Sequence, residues 1–275
     1  MIMRLCRCRL LVCLSLAVAL CAASSLRVGA ASGPFDTAME FVATNDWDTA
    51  LYALDMASRE SVELGEMLRA ALWKAVILRS LIEGDFVMYG MLYDGAYAAT
   101  GSDKDSFQRN RKEVFNLTST HMERLMPVIE ELTAKEHRQT VAISTTRPCR
   151  FPPSDLEQFK RMVKLGLYPG DQAVNRELQA GQAYSLPSIL SQWTGMSTED
   201  ILKGMIAGDL ACEVDMVAVF LDLGKLAYPK NDAEAAVLTA REKECGKACL
   251  EKVIELTETE PYCKERLEAL KLLGR

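Results

Sequence analysis

The chain has 275 residues, of which only 16 are glycine and 9 are proline. Few helix breakers and abundant helix-forming residues predict an all-α fold, and this length is sufficient for a substantial core. The formal net charge of −6 argues against a nucleic-acid-binding protein, because neutralising phosphates requires a basic surface.

Residues 1–30 have the pattern of a secretory signal peptide. A positively charged start is followed by an apolar segment from Leu10 to Ala23, and small residues then allow cleavage after Ala23 or after Ala30. The apolar segment is short for a membrane-spanning helix. We therefore predict an exported protein, periplasmic or secreted, with no membrane span once the signal is removed.

Two further consequences follow from this N-terminal segment. Lipoprotein anchoring would use Cys21, but Leu20 before it is larger than such signals favour, so an unanchored product is preferred. Residues 1–30 carry four arginines and no acidic residue, so their removal changes the net charge from −6 to −10. The mature protein is therefore more acidic than the precursor, which again disfavours nucleic-acid binding.

A helical hairpin is predicted directly after the signal. Pro34 to Thr44 has the pattern of a short helix, and a return helix runs from Trp47 to about Ser61. Ala50, Leu54 and Ala57 form one stripe on that second helix, at a spacing typical of a buried face. Small residues on this stripe allow a neighbouring helix to approach closely.

This hairpin resembles a tetratricopeptide repeat. The family's small and aromatic positions are matched by residues of both helices and of the turn: Ala38, Phe41, Trp47, Ala50 and Ala57. Val62 stands where the family has its closing proline.

A second copy of the repeat starts 39 residues later, against a usual period of about 34. Trp73 lies where the family often has tryptophan, Gly84-Asp85-Phe86 would form the turn, and Tyr93 and Ala96 match the return helix. Tyr89 replaces a small residue, so this copy is degenerate.

The resemblance implies a concave surface that binds another protein or a peptide of the cell envelope. The first helices of the two hairpins would line it with six residues: Phe35, Met39, Val42, Lys74, Leu78 and Leu81. These residues are more apolar than an open peptide groove requires. The alternative is that C-terminal helices cover them and that the partner binds elsewhere.

The remaining chain divides into three predicted regions. Residues 31–138 would hold the tetratricopeptide-like hairpins, including a long helix from about residue 104 that Pro127 kinks or interrupts. Residues 139–153 are β-prone and then proline-rich, which indicates a linker or lid. Residues 154–275 form a C-terminal helical region, in which Leu210 to Leu226 is the most apolar helix.

Catalytic and cofactor motifs are not found in the sequence. There is no nucleophile elbow, phosphate loop or zinc-protease motif, so we predict no catalytic residue, metal or cofactor, and an enzyme is the less favoured class. Leu186 to Leu202 resembles a helix-turn-helix, but the acidic, exported character favours simple helix packing there. Asp215 and Asp222 share one face of the apolar helix, which we interpret as a solvent-exposed polar strip.

Cysteines supply candidate disulfides. Five of the nine lie beyond the signal region: Cys149, Cys212, Cys245, Cys249 and Cys263. Cys245 and Cys249 share a helix face, and an exported protein permits pairing with Cys212 or with Cys263, the former being preferred. A metal at the Cys245–Cys249 pair is less favoured, because both histidines lie far upstream in the sequence.

Two functions therefore remain as hypotheses. The first is an exported helical scaffold for protein–protein interaction, and the alternative is a ligand-binding or catalytic protein with a pocket between the two helical halves, roofed by residues 139–153. A dry, filled contact between the halves favours the scaffold, whereas a pocket with convergent polar groups favours the alternative.

The export prediction is tested by expressing the full precursor in a bacterial host. We expect a product found outside the membrane fraction whose first residue is Ser24 or Ala31, because cleavage removes the long apolar segment. N-terminal sequencing after fractionation measures this. A product that begins at Met1 and sediments with membranes would contradict it.

Overall fold

The structure is a computed structural model that describes residues 33–43, 46–61, 63–98, 104–134, 141–144, 186–207 and 210–275. These residues form ten helices and two short strands, which confirms the predicted all-α class. In chain order the elements are α1 (Pro34–Ala43), α2 (Trp47–Glu60), α3 (Leu64–Ala98), α4 (Lys104–Ala134), β1 (Val141–Ser144), α5 (Leu186–Thr194), α6 (Thr198–Ala207), β2 (Ala211–Val214), α7 (Met216–Ala227), α8 (Asp232–Val237), α9 (Ala240–Leu256) and α10 (Lys264–Leu272).

The predicted first hairpin is confirmed as helices α1 and α2. Asp46 caps α2, since its side chain accepts a hydrogen bond from the backbone N–H of Thr49 at 3.3 Å. The predicted stripe of Ala50, Leu54 and Ala57 is fully buried. Trp47 is only partly buried, and it packs against the edge of the core at the start of α2.

Helix α3 corrects the second predicted hairpin. The expected turn at Gly84-Asp85-Phe86 is wrong, because α3 continues through these residues without a break. Helix α3 packs against α2, α4, α5 and β1, so this single long helix has several packing partners. In helical geometry Asp85 faces His121 of α4, with 2.8 Å between a carboxylate oxygen and Nδ1. A turn at Gly84-Asp85-Phe86 would break this contact.

Helix α4 begins close to its predicted start and continues through Pro127, so the chain is not interrupted there. A proline inside a helix removes one backbone hydrogen bond. Buried residues on both sides of it, Leu125, Met126, Val128 and Ile129, hold this part of the helix against the core.

The β-prone segment at the start of the predicted linker or lid forms strand β1, which pairs antiparallel with β2. The predicted helix from Leu210 to Leu226 is therefore wrong at its start. Val214 pairs with Val141, and the helix begins only at Met216, with Asp215 as its N-cap. The physical reason is that β2 alternates exposed and buried residues and gains its hydrogen bonds from β1, a distant part of the sequence.

The predicted C-terminal helical region contains two helices, α8 and α9, directly after Asn231. They are separate because Thr239 starts a new helix with a capping box that Glu242 completes. The hairpin of α5 and α6 begins at the predicted Leu186 and continues to Ala207, and Gly195 at its turn has a φ of 71°.

Helices α7 and α9 approach closely at two glycines. A Cβ added to Gly246 would lie 2.5 Å from the backbone carbonyl carbon of Ala227, and one added to Gly224 would lie 2.7 Å from the side chain of Leu250. The first contact is with the main chain, which cannot move aside as a side chain can. Gly246 therefore sets the distance between the two helices.

Pro34–Arg275 forms one compact unit. Within it, α3 packs against α5, and α4 packs against α9, so the described helices of the two predicted helical regions share a core. Of the predicted linker or lid at 139–153, the structure describes only Val141–Ser144; the proline-rich part lies outside the described residues.

Two glycine substitutions test these helix assignments, and we expect them to change the free energy of unfolding in opposite directions. Gly246→Ala should lower the free energy of unfolding by about 1–3 kcal/mol, because its methyl group meets the backbone of Ala227. Gly84→Ala should raise it by about 0.5–1 kcal/mol, because Gly84 is exposed within α3 and alanine favours helix. Chemical denaturation measures both.

Each variant serves as the matched control for the other, since both replace a helical glycine with alanine. If Gly84→Ala destabilised the protein, Gly84 would lie in a turn, as the sequence had suggested. If Gly246→Ala were neutral, α7 and α9 would be farther apart than described.

Candidate functional site

The residues predicted to bind a partner lie mainly inside the protein. Phe35, Met39, Val42 and Leu78 are at most 2% exposed, and Leu81 is partly buried against the same core. Their apolar side chains pack within the described core. An open groove is therefore not formed by this set of residues.

Lys74, the one charged member of the predicted set, has a structural partner. Its Nζ lies 2.7 Å from Oδ1 of Asp55, while Arg59 contacts the other carboxylate oxygen at 2.9 Å. Lys74 is nearly buried on α3 and Asp55 lies on α2, so this ion pair joins the first hairpin to the central helix.

The most connected polar group in the described core is Asp222 of α7. Its Oδ2 accepts hydrogen bonds from Nε of Arg79 at 3.2 Å and from the indole Nε1 of Trp193 at 3.1 Å. Its Oδ1 accepts from the side-chain amide of Gln192 at 3.1 Å and from Nη2 of Arg79 at 3.5 Å. These donors lie on α3 and α5, so three helices meet at one carboxylate.

The solvent-exposed interpretation of Asp222 from the sequence is wrong, since the residue is only 3% exposed. A position on the polar side of an apolar helix would normally face water. Here it faces Arg79, a charged residue on the long apolar helix α3. Sequence periodicity identified the polar strip but carried no information about which helix would cover it.

Arg79 also contacts a second carboxylate, that of Glu83. Its Nη1 donates to Glu83, one turn farther along α3. We call Asp222, its three donor residues and Glu83 the Asp222 cluster. Burial alone would lower the pKa of Arg79, but the charges of Asp222 and Glu83 and their hydrogen bonds outweigh it, so the pKa is raised above its ordinary value. The guanidinium is therefore a permanent positive charge at the junction of α3 and α7.

The chemistry available to the Asp222 cluster is limited, because hydrogen bonds within the chain occupy the acceptor positions of Asp222. A carboxylate has about four acceptor positions, and Asp222 already receives four hydrogen bonds within the chain. It has no lone pair left for a substrate proton or a metal. The cluster therefore positions helices rather than supplying a reactive group.

A further polar contact joins Asp85 of α3 to His121 of α4. Both side chains are mostly buried, and the Nδ1-to-carboxylate distance is 2.8 Å. Such a pair orients an imidazole, as general bases require. The sequence around His121 does not indicate this partner, because Asp85 lies in a different helix and no local spacing links the two residues.

A shallow depression of about 400 Å³ lies between α4 and α9. Seven residues line it: Glu130, Thr133, Ala134, Ala248, Glu251, Lys252 and Glu255. Each of its three carboxylates contacts a cation of the chain, namely Arg241, Arg275 and Lys252. These pairs neutralise the acidic side chains, so the depression does not present an excess of free negative charge.

All four cysteines with candidate disulfide roles, Cys212, Cys245, Cys249 and Cys263, are free thiols in the structure. Burial raises the pKa of Cys212 to about 11. It also raises the pKa of Cys249, and that of Cys245, where the Glu130 carboxylate 3.7 Å from the sulfur adds to the effect. Thiols held in the protonated form are poor nucleophiles and poor metal ligands.

The predicted pairing of these cysteines in an oxidising compartment stays a prediction. Cys149, the fifth cysteine beyond the signal, lies outside the described residues.

Comparisons with known proteins add no assignment. No family model matches the chain, and searches of curated proteins and of solved structures also find no match. Across the residues that the structure describes, no helix combines the length and apolarity needed to cross a bilayer. Within the same residues, no group of three or more His, Cys, Asp or Glu side chains is arranged so that it could hold a metal ion.

The role of the Asp222 cluster can be tested by charge removal. Asp222→Asn should lower the free energy of unfolding by about 3–5 kcal/mol, because it leaves Arg79 buried with incomplete compensation. Asp48→Asn is the matched control: Asp48 also pairs with an arginine, Arg124 at 3.1 Å, but its side chain is 90% exposed. That change should cost less than about 1 kcal/mol.

Denaturation of both variants by urea gives the comparison. Equal effects of Asp222→Asn and Asp48→Asn would mean that Asp222 reaches solvent. A double-mutant cycle with Arg79→Met should further show strong coupling to Asp222, since the two charges contact each other directly.

The thiols yield a prediction about reactivity and pH. In the reduced, folded protein at neutral pH, iodoacetamide should modify Cys263, which is partly exposed, well before Cys212 or Cys249. In the folded protein the pKa of the Cys212 thiol is about 11, against an ordinary value of 9.0. The unfolded chain therefore loses this proton at a lower pH than the folded protein does. As a result, the thiol's contribution to the free energy of unfolding is lost as the pH rises between these two values.

Peptide mapping by mass spectrometry measures the order of modification, and Cys212→Ala should show a shallower loss of stability between those pH values. Rapid labelling of all cysteines at once in the folded protein would contradict the described burial.

Proposed function

We propose that this protein is an exported, all-α scaffold that binds another protein or a peptide in the cell envelope through its tetratricopeptide-like N-terminal hairpin. The observation that carries the proposal is the filled contact between the two helical regions at Asp222. The polar groups that converge there satisfy one another and leave no acceptor for a ligand. This is the arrangement expected of a scaffold rather than of a pocket.

The other buried polar side chains support the same proposal. Lys74 pairs with Asp55, Asp85 pairs with His121, and Lys252 pairs with Glu255. Groups of this kind act catalytically when part of their bonding capacity faces a substrate. The first two pairs each join two neighbouring helices and the third lies within α9, which favours a rigid platform.

The tetratricopeptide-like part of the proposal rests on α1 and α2. Their boundaries, the Asp46 cap and the buried stripe of small residues agree with such a hairpin. Because α3 continues past Gly84, the proposal involves one hairpin stacked on a long helix rather than two successive copies. The partner surface is then the outer side of the hairpin, since its inner residues are buried.

Site-specific photo-crosslinking tests this proposal on the surface of α2. Tyr52 lies on α2 with 67% of its surface exposed, and Tyr262 lies in the turn before α10 with 87% exposed. Replacing either tyrosine with a photoreactive phenylalanine analogue conserves the aromatic ring and leaves the core intact. The cells that naturally export the protein would be irradiated, and adducts identified by mass spectrometry.

We expect a discrete protein or peptide adduct from position 52 and none from the matched control at position 262. The identified partner should then bind the purified mature protein in a direct assay, and Tyr52→Ala should weaken binding, since exposed tyrosines commonly contribute strongly to interfaces. Adducts at both positions, or at neither, would contradict a partner site on the hairpin.

The alternative function, a ligand-binding or catalytic protein, has one observation in its favour. Asp85 and His121 form an oriented, mostly buried pair between α3 and α4. If this pair served a ligand site, His121→Gln would abolish binding or turnover while leaving the partner adduct at Tyr52 unchanged. Under the scaffold proposal, His121→Gln affects stability alone.

A further inference from the structure

We draw no further inference here: the strongest candidate, the shallow depression between helices α4 and α9, carries nothing because its carboxylates are already paired with cations of the same chain and nothing in the structure shows what covers it.

Discussion

The contact between Arg79 and Asp222 is the constraint on which the arrangement of the helices depends. Burying either charge alone would cost several kcal/mol, so α3 and α7 must meet where the guanidinium and carboxylate face each other. The same carboxylate satisfies the indole N–H of Trp193, a residue with no exposed surface. One acidic residue on α7 thus accepts hydrogen bonds from donors on both α3 and α5.

Close approach of backbones provides the second constraint. Gly246 lets α9 lie directly against the end of α7, while α3 is enclosed by α2, α4 and α5. The indole N–H of Trp73 on α3 is the exception to complete polar satisfaction in the described core, since it is buried without a hydrogen-bond partner. Its cost is about 1–3 kcal/mol, which the burial of so large an aromatic side chain can offset.

These features bear on function through rigidity. A core whose charges are mutually paired resists local rearrangement, and its outer surfaces keep a constant shape, which reduces the entropy lost when a partner binds. In an enzyme site, the groups at the point of chemistry keep part of their hydrogen-bonding capacity for the substrate. The Asp222 cluster lacks this property, and for that reason a binding scaffold is the proposal that its geometry supports best.

The sequence by itself determined the class of fold, the first hairpin and the β-prone segment at Val141–Ser144, because these follow from local propensity and short-range spacing. Only the tertiary structure decided that α3 continues through Gly84, that residues 211–214 form a strand and that Asp222 is buried. Each of these depends on a partner distant in sequence: α4, β1 and Arg79. Local patterns record a residue's own preference and do not record the element that will cover it.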